Sequence, residues 1–233
     1  MHHVVLERWS RGTSLLHRRD ARVKILSLLI FLIAVATTHR DFELPGLLYF
    51  AVLVGGMIAA RLPVIGMLRR AAIVLPFSLT LAAITWISGE PRRAAMVVEK
   101  SFLSASAALL LVATTPLPQL LRGLEMLGTP RFLLMVAQFV YRYLFVIAEQ
   151  AHRMRLAALC RGGRFRPKGG FRSAAGTLGV LFARSYERAD RIHRSMISRG
   201  FEGHFNLLSR PSLVWADAGF LFLTAALVAV IRV

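Results

Sequence analysis

The chain has 233 residues, and 56% of them are hydrophobic, whereas a soluble domain carries about 45–50%. Its 30 Lys and Arg residues oppose 12 Asp and Glu residues, which gives a formal net charge of +18 at pH 7. The apolar excess excludes a single water-soluble core. The only cysteine, Cys160, excludes an internal disulfide framework and a Cys-based zinc site.

Five apolar runs approach the length that a helix needs to cross the hydrocarbon core of a membrane, which is about 20 residues. The runs are too long and continuous for barrel strands, so we predict helices. Residues 1–20 contain no long apolar stretch, and we therefore expect a retained first span and no cleaved signal peptide. In chain order the runs cover residues 23–38, 44–60, 71–88, 94–115 and 213–231.

The charges of the loops orient these spans. The segment before the first span and the loop after the second span are basic, whereas the loops after the first and third spans mix acids and bases. Cytoplasmic loops of membrane proteins carry the excess of Lys and Arg. We therefore predict a multi-pass protein of the bacterial inner (plasma) membrane with its N-terminus in the cytoplasm.

Residues 116–211 differ from the rest of the chain because they carry sixteen basic and five acidic residues. Within them, residues 132–148 are apolar enough for a sixth span, but a sixth crossing would place the Arg-rich remainder outside. We instead expect a helix on or in the inner leaflet, with Arg142 reaching the headgroups. The chain thus divides into a four-span segment (1–115), a basic cytoplasmic or interfacial region (116–211) and a last span (212–233).

Two amphipathic helices are predicted in this basic region, over residues 130–161 and 172–199. Each ends on an arginine followed by a glycine, and glycine commonly terminates helices in the left-handed conformation. These ends are Arg161-Gly162 and Arg199-Gly200. The second helix also carries arginines at steps of three and four residues, which predicts a basic stripe. The stripe consists of Arg184, Arg188, Arg191 and Arg194.

The sequence shows no catalytic signature. It has no Gly-Lys-Ser/Thr phosphate-binding loop, no Gly-x-Ser-x-Gly and no His-Glu-x-x-His pattern. The histidines lack ligand spacing, and His2 and His3 are expected in a solvated tail rather than on copper or nickel. Cys160 is expected to pack rather than to act as a nucleophile. We therefore predict a non-catalytic chain without a metal site, whose nucleotide, if one is used, binds a partner.

The basic region fits more than one kind of partner. Anionic lipid headgroups attract Lys and Arg close to a membrane. Nucleic acid is disfavoured, because no nucleic-acid-binding fold is recognisable. A protein with acidic grooves suits an arginine at a helix C-terminus, where the dipole is favourable and bidentate bonds to carboxylates are accessible. These physical arguments leave lipid and protein partners both open.

Four stretches of the chain resemble one known family. They are HRRDARVKILSLL, TTPLPQLLRGLEMLGTP, YRYLFVIAEQAHRMRLAALCRGG and LFARSYERADRIHRSMISRGFEG. The chain resembles the transmembrane T component of energy-coupling-factor transporters, and more closely its cobalt-transport type, CbiQ. Ala21 stands where that family has proline. Cys160 and Ser198 stand where its two Ala-Arg-Gly triplets have alanine.

The resemblance implies an all-α scaffold of about five spans plus amphipathic coupling helices. It would transmit motion from two ABC-type ATPases, which bind the ATP, to a separate cobalt-binding membrane subunit, and would itself hold no cofactor. The implied coupling residues are Arg161, Gly162, Arg199 and Gly200, supported by Arg184, Arg188 and Arg191. A nickel transporter of the same type, a membrane-embedded enzyme and a lipid-binding scaffold are the alternatives.

Overall fold

The computed structural model describes residues 9, 12, 14, 16–17, 19–38, 43–160, 170–203 and 215–232. Within these ranges every regular element is helical, which confirms the predicted all-α membrane fold class. A 3-10 turn, Ala72–Val74, separates the third helix from the fourth. The helices are α1 Ala21–Thr37, α2 Glu43–Ala59, α3 Val64–Ala71, α4 Leu75–Ile87, α5 Pro91–Thr114, α6 Leu117–Met126, α7 Arg131–Cys160, α8 Gly170–Ile197 and α9 Trp215–Arg232.

Several of these helices have the length and composition of membrane spans. Among the described residues, Val64–Ile87 (α3 through α4), α5 and α7 are long and apolar enough to cross a membrane. The apolar parts of α2 and α9, Leu44–Ala59 and Trp215–Ile231, are shorter. Helix α7 thus has the length of a span. Its interfacial placement stays a prediction, as does the cytoplasmic N-terminus.

The third predicted span, residues 71–88, is interrupted rather than continuous. Ala72–Val74 form the 3-10 turn, and α4 then begins at Leu75 with Pro76 in its first turn. Proline has no N–H group and its ring clashes with the preceding turn, so a helix bends or restarts at this position. The helical structure begins before the predicted span, at Val64. Helix α3 is stabilised there because it is amphipathic and buries Met67 on its apolar side.

The chain divides by its contacts into two units. The first unit comprises Met1–Gly128 and Ser209–Val233, and the second comprises Thr129–Leu208. The short helix α6 belongs to the first unit and packs on the start of α1. A Cβ atom at Gly123 of α6 would lie 3.0 Å from the Cβ of Ala21, so only glycine permits this approach.

The core of the first unit lies between α1, α2, α5 and α9. Phe31 of α1 and Tyr49 of α2 meet edge to face, with ring centroids 5.5 Å apart. Leu103 of α5 and Val228 of α9 belong to the same buried cluster. Aromatic pairs of this geometry add about 0.5–1.5 kcal/mol beyond the burial of their area. Side chains from helices far apart in the sequence therefore build this bundle.

Two lysines link the antiparallel helices α1 and α5, one at each end of the pair. The Lys24 Nζ atom of α1 donates to the Thr114 carbonyl oxygen and to Thr115 Oγ1, both at 3.1 Å, at the C-terminus of α5. The Lys100 Nζ atom of α5 donates to the carbonyl oxygens of Ala36 (3.2 Å) and Thr38 (2.6 Å), at the C-terminus of α1. The last four carbonyls of a helix lack internal partners. Each antiparallel helix thus supplies the cation that satisfies the C-terminus of the other.

We expect removal of either lysine to destabilise the first unit. Lys24→Met and Lys100→Met leave carbonyl oxygens without donors, and an unsatisfied buried group costs about 1–3 kcal/mol. For a chain of this length each kcal/mol lowers the midpoint of thermal unfolding by about 2–4 °C. The measurement is thermal unfolding of the purified chain in detergent. Arg92→Met, an exposed position on α5, is the control. Equal midpoints for all three variants would contradict the role of the lysines.

Candidate functional site

The second unit is built on an antiparallel pair of long helices, α7 and α8. The start of α7 lies beside the end of α8, where Met135 and Phe139 share an apolar cavity of about 350 Å³ with Met196 and Phe201. Farther along, Arg188 Nη2 of α8 donates to Gln150 Oε1 of α7 at 3.3 Å. Apolar contacts at one end and a polar contact farther along therefore fix the register of the pair.

The end of α8 has the geometry that its Arg-Gly sequence predicts. The Gly200 N–H donates to the Ile197 carbonyl at 2.9 Å, and the Phe201 N–H donates to the Met196 carbonyl at 3.1 Å. Gly200 adopts a φ of 78°, in the left-handed region. These two bonds with a left-handed glycine define a Schellman motif. The predicted terminator at Gly200 is confirmed.

Arg199 occupies the position immediately before this glycine and is exposed. Arg199 therefore lies two positions after the last helical residue, Ile197, next to the carbonyl groups that give the dipole its negative end. The Schellman bonds hold the backbone on both sides of Arg199, so the position of its Cα atom is fixed relative to α8. The side chain itself faces solvent. An arginine in this setting is able to make a charge-assisted, bidentate contact with a carboxylate on another protein.

The first predicted tip, Arg161-Gly162, lies outside the described residues. Helix α7 is described as far as Cys160, which directly precedes Arg161. Cys160 is exposed, so the expectation that this cysteine packs in the interior is wrong. It lies on the last turn of the described part of α7, where the contacts to α8 do not cover it.

The supporting arginines of α8 have different surroundings. Arg188 is half-buried against Gln150, Arg194 Nη2 pairs with Asp190 Oδ2 at 2.7 Å, and Arg191 is exposed. Arg184 lines a groove between α7 and α8. Steps of three and four residues rotate a helix by about −60° and +40°, so the predicted stripe fans out over roughly 120°. It is therefore not a single uniform face.

The exposed side of α8 is also apolar in part. Leu178 is 64% exposed, Phe182 is 74% exposed and Tyr186 is 71% exposed. These residues are spaced by four and therefore lie along one side of the helix. The packed positions are instead Ile192 and Met196, which face α7. The apolar periodicity of α8 thus supports two surfaces, of which one is exposed among the residues that the structure describes.

A polar cluster at the start of α1 was not assigned a role by the sequence pattern. Asp20 Oδ1 accepts a hydrogen bond from the Arg22 N–H at 2.9 Å and so caps α1. Arg19 Nη1 lies 3.7 Å from Oδ1 of Asp217, a buried residue of α9. The Arg19–Asp217 pair thus connects the start of α1 with α9, and Lys24 connects α1 with the end of α5. The residues Asp20, Arg22 and Lys24 of this cluster lie in the segment DARVK, which the sequence analysis singled out. The partners Thr114 and Asp217 lie far away in the sequence.

Ligands for a metal ion do not converge in the described part of the chain. No group of three or more His, Cys, Asp or Glu residues is close enough there to hold an ion. A cavity of about 350 Å³ lies between α1, α2, α5 and α9, and Lys24 is the single ionisable residue among those that line it. An ammonium group repels a metal cation, so Lys24 does not favour a metal ion in this cavity.

Comparison with known proteins assigns the chain to a family. A family model described as "Cobalt transport protein" matches residues 12–209, which include Arg161 and Arg199. The chain is 29% identical over 191 residues to the cobalt transport protein CbiQ of Rhodobacter capsulatus, with 77% of this chain and 78% of the relative covered. It is 27% identical over 243 residues to the energy-coupling factor transporter transmembrane protein EcfT of Bacillus selenitireducens, with 91% and 89% covered.

We expect the Schellman terminator to depend on glycine at position 200. A non-glycine residue in the left-handed conformation costs about 1–2 kcal/mol, so Gly200→Ala lowers the stability of the second unit and loosens the last turn of α8. Gly179→Ala is the matched change inside the same helix, where the added Cβ meets open space. It raises stability by about 0.5–1 kcal/mol, because alanine is the better helix former.

Amide hydrogen exchange and thermal unfolding in detergent measure both variants. Faster exchange at residues 196–201 in Gly200→Ala, but not in Gly179→Ala, is the expected result. The same exchange rates in both variants would show that α8 ends without the help of this glycine.

Proposed function

The chain belongs to the CbiQ cobalt transport protein family, and on that premise we propose that it is the membrane-embedded coupling subunit of an energy-coupling-factor importer for cobalt. In this role it transmits motion from two ATP-hydrolysing partner subunits to a separate membrane subunit that binds the ion. The chain itself is neither an ATPase nor the site of cobalt binding. The exposed arginine at the terminated end of α8 is the observation that carries the proposal.

Arg199 supports docking to an ATPase by its position. The guanidinium stands at the tip of a helix whose end is fixed by hydrogen bonds, so that a force on the arginine acts on the helix and not on a loose loop. Its charge is suited to an acidic groove on the partner, and bidentate pairing gives the contact a defined direction. By the sequence, Arg161-Gly162 supplies a second tip of the same kind, and two tips match two ATPase subunits.

The long helices α7 and α8 support the transmission of motion. They contain 30 and 28 residues. At about 1.5 Å per residue, each is roughly 40 Å long. Their register is held by the Arg188–Gln150 hydrogen bond and by the apolar contacts around Met196. A displacement of the α8 tip is therefore carried along the helix pair. The exposed stripe of Leu178, Phe182 and Tyr186 offers an apolar surface for the ion-binding subunit.

The first unit supports a scaffold role, and the proposal assigns ion binding to a separate subunit. Two of the ionisable residues of its described helices, Lys24 and Lys100, already bind carbonyl oxygens at the ends of other helices. Ion-coupled carriers instead place ionisable groups at membrane depth. We propose cobalt rather than nickel as the transported ion because the relatives are named as cobalt transport proteins, and uptake measurements on the assembled transporter distinguish the two ions.

The test is association and uptake with charge removed at the two tips. We expect Arg161→Ala and Arg199→Ala to weaken binding of the candidate ATPases by about 30-fold or more. Truncating a central arginine of an interface commonly costs 2 kcal/mol or more. Arg199→Lys restores only part of the affinity, because an ammonium does not form the bidentate pair. Arg155→Ala removes an equal charge from an exposed position of α7 and is the matched control.

The measurements are co-purification with the ATPases and ATP-driven uptake of cobalt, with nickel in parallel, in proteoliposomes. The coupling role fails if both tip variants retain full association and uptake. It also fails if the Arg155→Ala control loses as much as the tip variants. That outcome would mean that total charge, as in a lipid-binding scaffold, decides the effect.

A further inference from the structure

The second unit contains an open groove to which the coupling role assigns no ligand. It lies between α7 and α8 and has a volume of about 1180 Å³, which exceeds the roughly 300–1,000 Å³ of a typical small-molecule site. Two kinds of side chain line it. The polar members are Glu149, Gln150, Arg153, Thr177, Arg184 and Arg188, and the apolar members include Phe145, Val146, Met154 and Val180.

The polar side of the groove carries an excess of positive charge. Arg153 Nε pairs with Glu149 Oε1 at 2.8 Å, so this arginine and the only acid among the described lining residues neutralise each other. Arg184 is exposed and Arg188 spends one donor on the neutral amide of Gln150. A guanidinium has five N–H donors, which leaves these two arginines with donors for an anion. The groove therefore has a net charge of about +2 for a ligand, since an arginine stays protonated in proteins.

The groove also spans a change of polarity along α7. Residues 132–148 of this helix are apolar except for a few polar side chains, of which Arg142 is the only charged one, whereas residues 149–160 contain Glu149, His152, Arg153 and Arg155. Phe145 and Val146 line the groove on the apolar side of this boundary, and Glu149 and Arg153 line it on the polar side. A helix with this division, lying at a membrane, places the boundary at the level of the lipid headgroups. Anionic headgroups and acyl chains meet at that same level.

We propose that this groove binds one anionic phospholipid. The phosphate lies between Arg184 and Arg188, which form charge-assisted hydrogen bonds to its oxygens. The upper part of an acyl chain lies on Phe145, Val146 and Val180. An acidic protein segment would satisfy the arginines but not the apolar wall, which is why the lipid is the better occupant. The bound lipid anchors the α7–α8 pair to the inner leaflet independently of the ATPase contact at Arg199.

The probe is phosphatidylglycerol added to the purified full-length chain in detergent, with retention measured by native mass spectrometry. Phosphatidylcholine and inorganic phosphate are added in parallel, to separate the anionic lipid from a neutral lipid and from the phosphate group alone. We expect one phosphatidylglycerol to be retained in preference to both. In Arg184→Gln/Arg188→Gln the apparent affinity falls by about fivefold for each arginine removed, the usual contribution of a cation near an anionic lipid surface.

Two matched variants separate a built site from general charge attraction. Arg155→Gln/Arg191→Gln removes the same charge from exposed positions outside the groove and is expected to bind within twofold of the unaltered chain. Gly176→Leu changes no charge and adds a bulky side chain at a residue that lines the groove, where a Cβ atom meets no other atom within 4 Å, and it is expected to reduce binding at least fivefold.

Three results would overturn the proposal. They are equal losses in the two arginine pairs, phosphatidylcholine binding as tight as phosphatidylglycerol binding, and unchanged binding in Gly176→Leu. Inorganic phosphate that binds as well as the lipid would point to an anion site without an acyl chain and would likewise overturn it. None of these measurements involves the ATPases, so they leave the proposed coupling role untouched.

Discussion

The helix ends of a membrane bundle must find hydrogen-bond partners where water is scarce, and in the first unit this need is met by the exchange of two lysines. Lys24 reaches from α1 to the last residues of α5, and Lys100 reaches from α5 to the last residues of α1. Unsatisfied backbone groups in an apolar medium cost several kcal/mol each. The antiparallel pair of α1 and α5 is thus fixed at both ends, and α2 and α9 pack against it through Tyr49 and Val228.

The two units use their charged residues differently. The first unit uses its buried charges to satisfy its own backbone and leaves no converging ligands for an ion among the described residues. The second unit keeps much of its charge on the surface, with Arg199 at the end of α8 and Arg184 on a groove. The proposed coupling role uses both parts, the helical bundle as a scaffold and the arginine-tipped helix pair as the docking element. Because the chain belongs to the CbiQ family, we relate this arrangement to transport.

The sequence predicts what depends on local pattern and misses what depends on distant partners. The apolar runs, the proline at position 76 and the Arg-Gly terminator each act within a few residues, and the helices and the left-handed Gly200 follow from them. Lys24 and Lys100 contact residues about 60 to 90 positions away, which no periodicity reveals. For the same reason the pattern gives the arginines of α8 a common stripe, although Arg188 and Arg194 have separate partners.

The central claim is that the tip of α8 contacts an ATPase. A photo-crosslinking amino acid at position 199 of the assembled transporter tests it most directly, with the same amino acid at exposed position 155 for comparison. The account predicts that position 199 crosslinks to an ATPase subunit and that position 155 does so to a much smaller extent. Crosslinks from position 199 to lipid alone, or equal ATPase crosslinking from both positions, would contradict it.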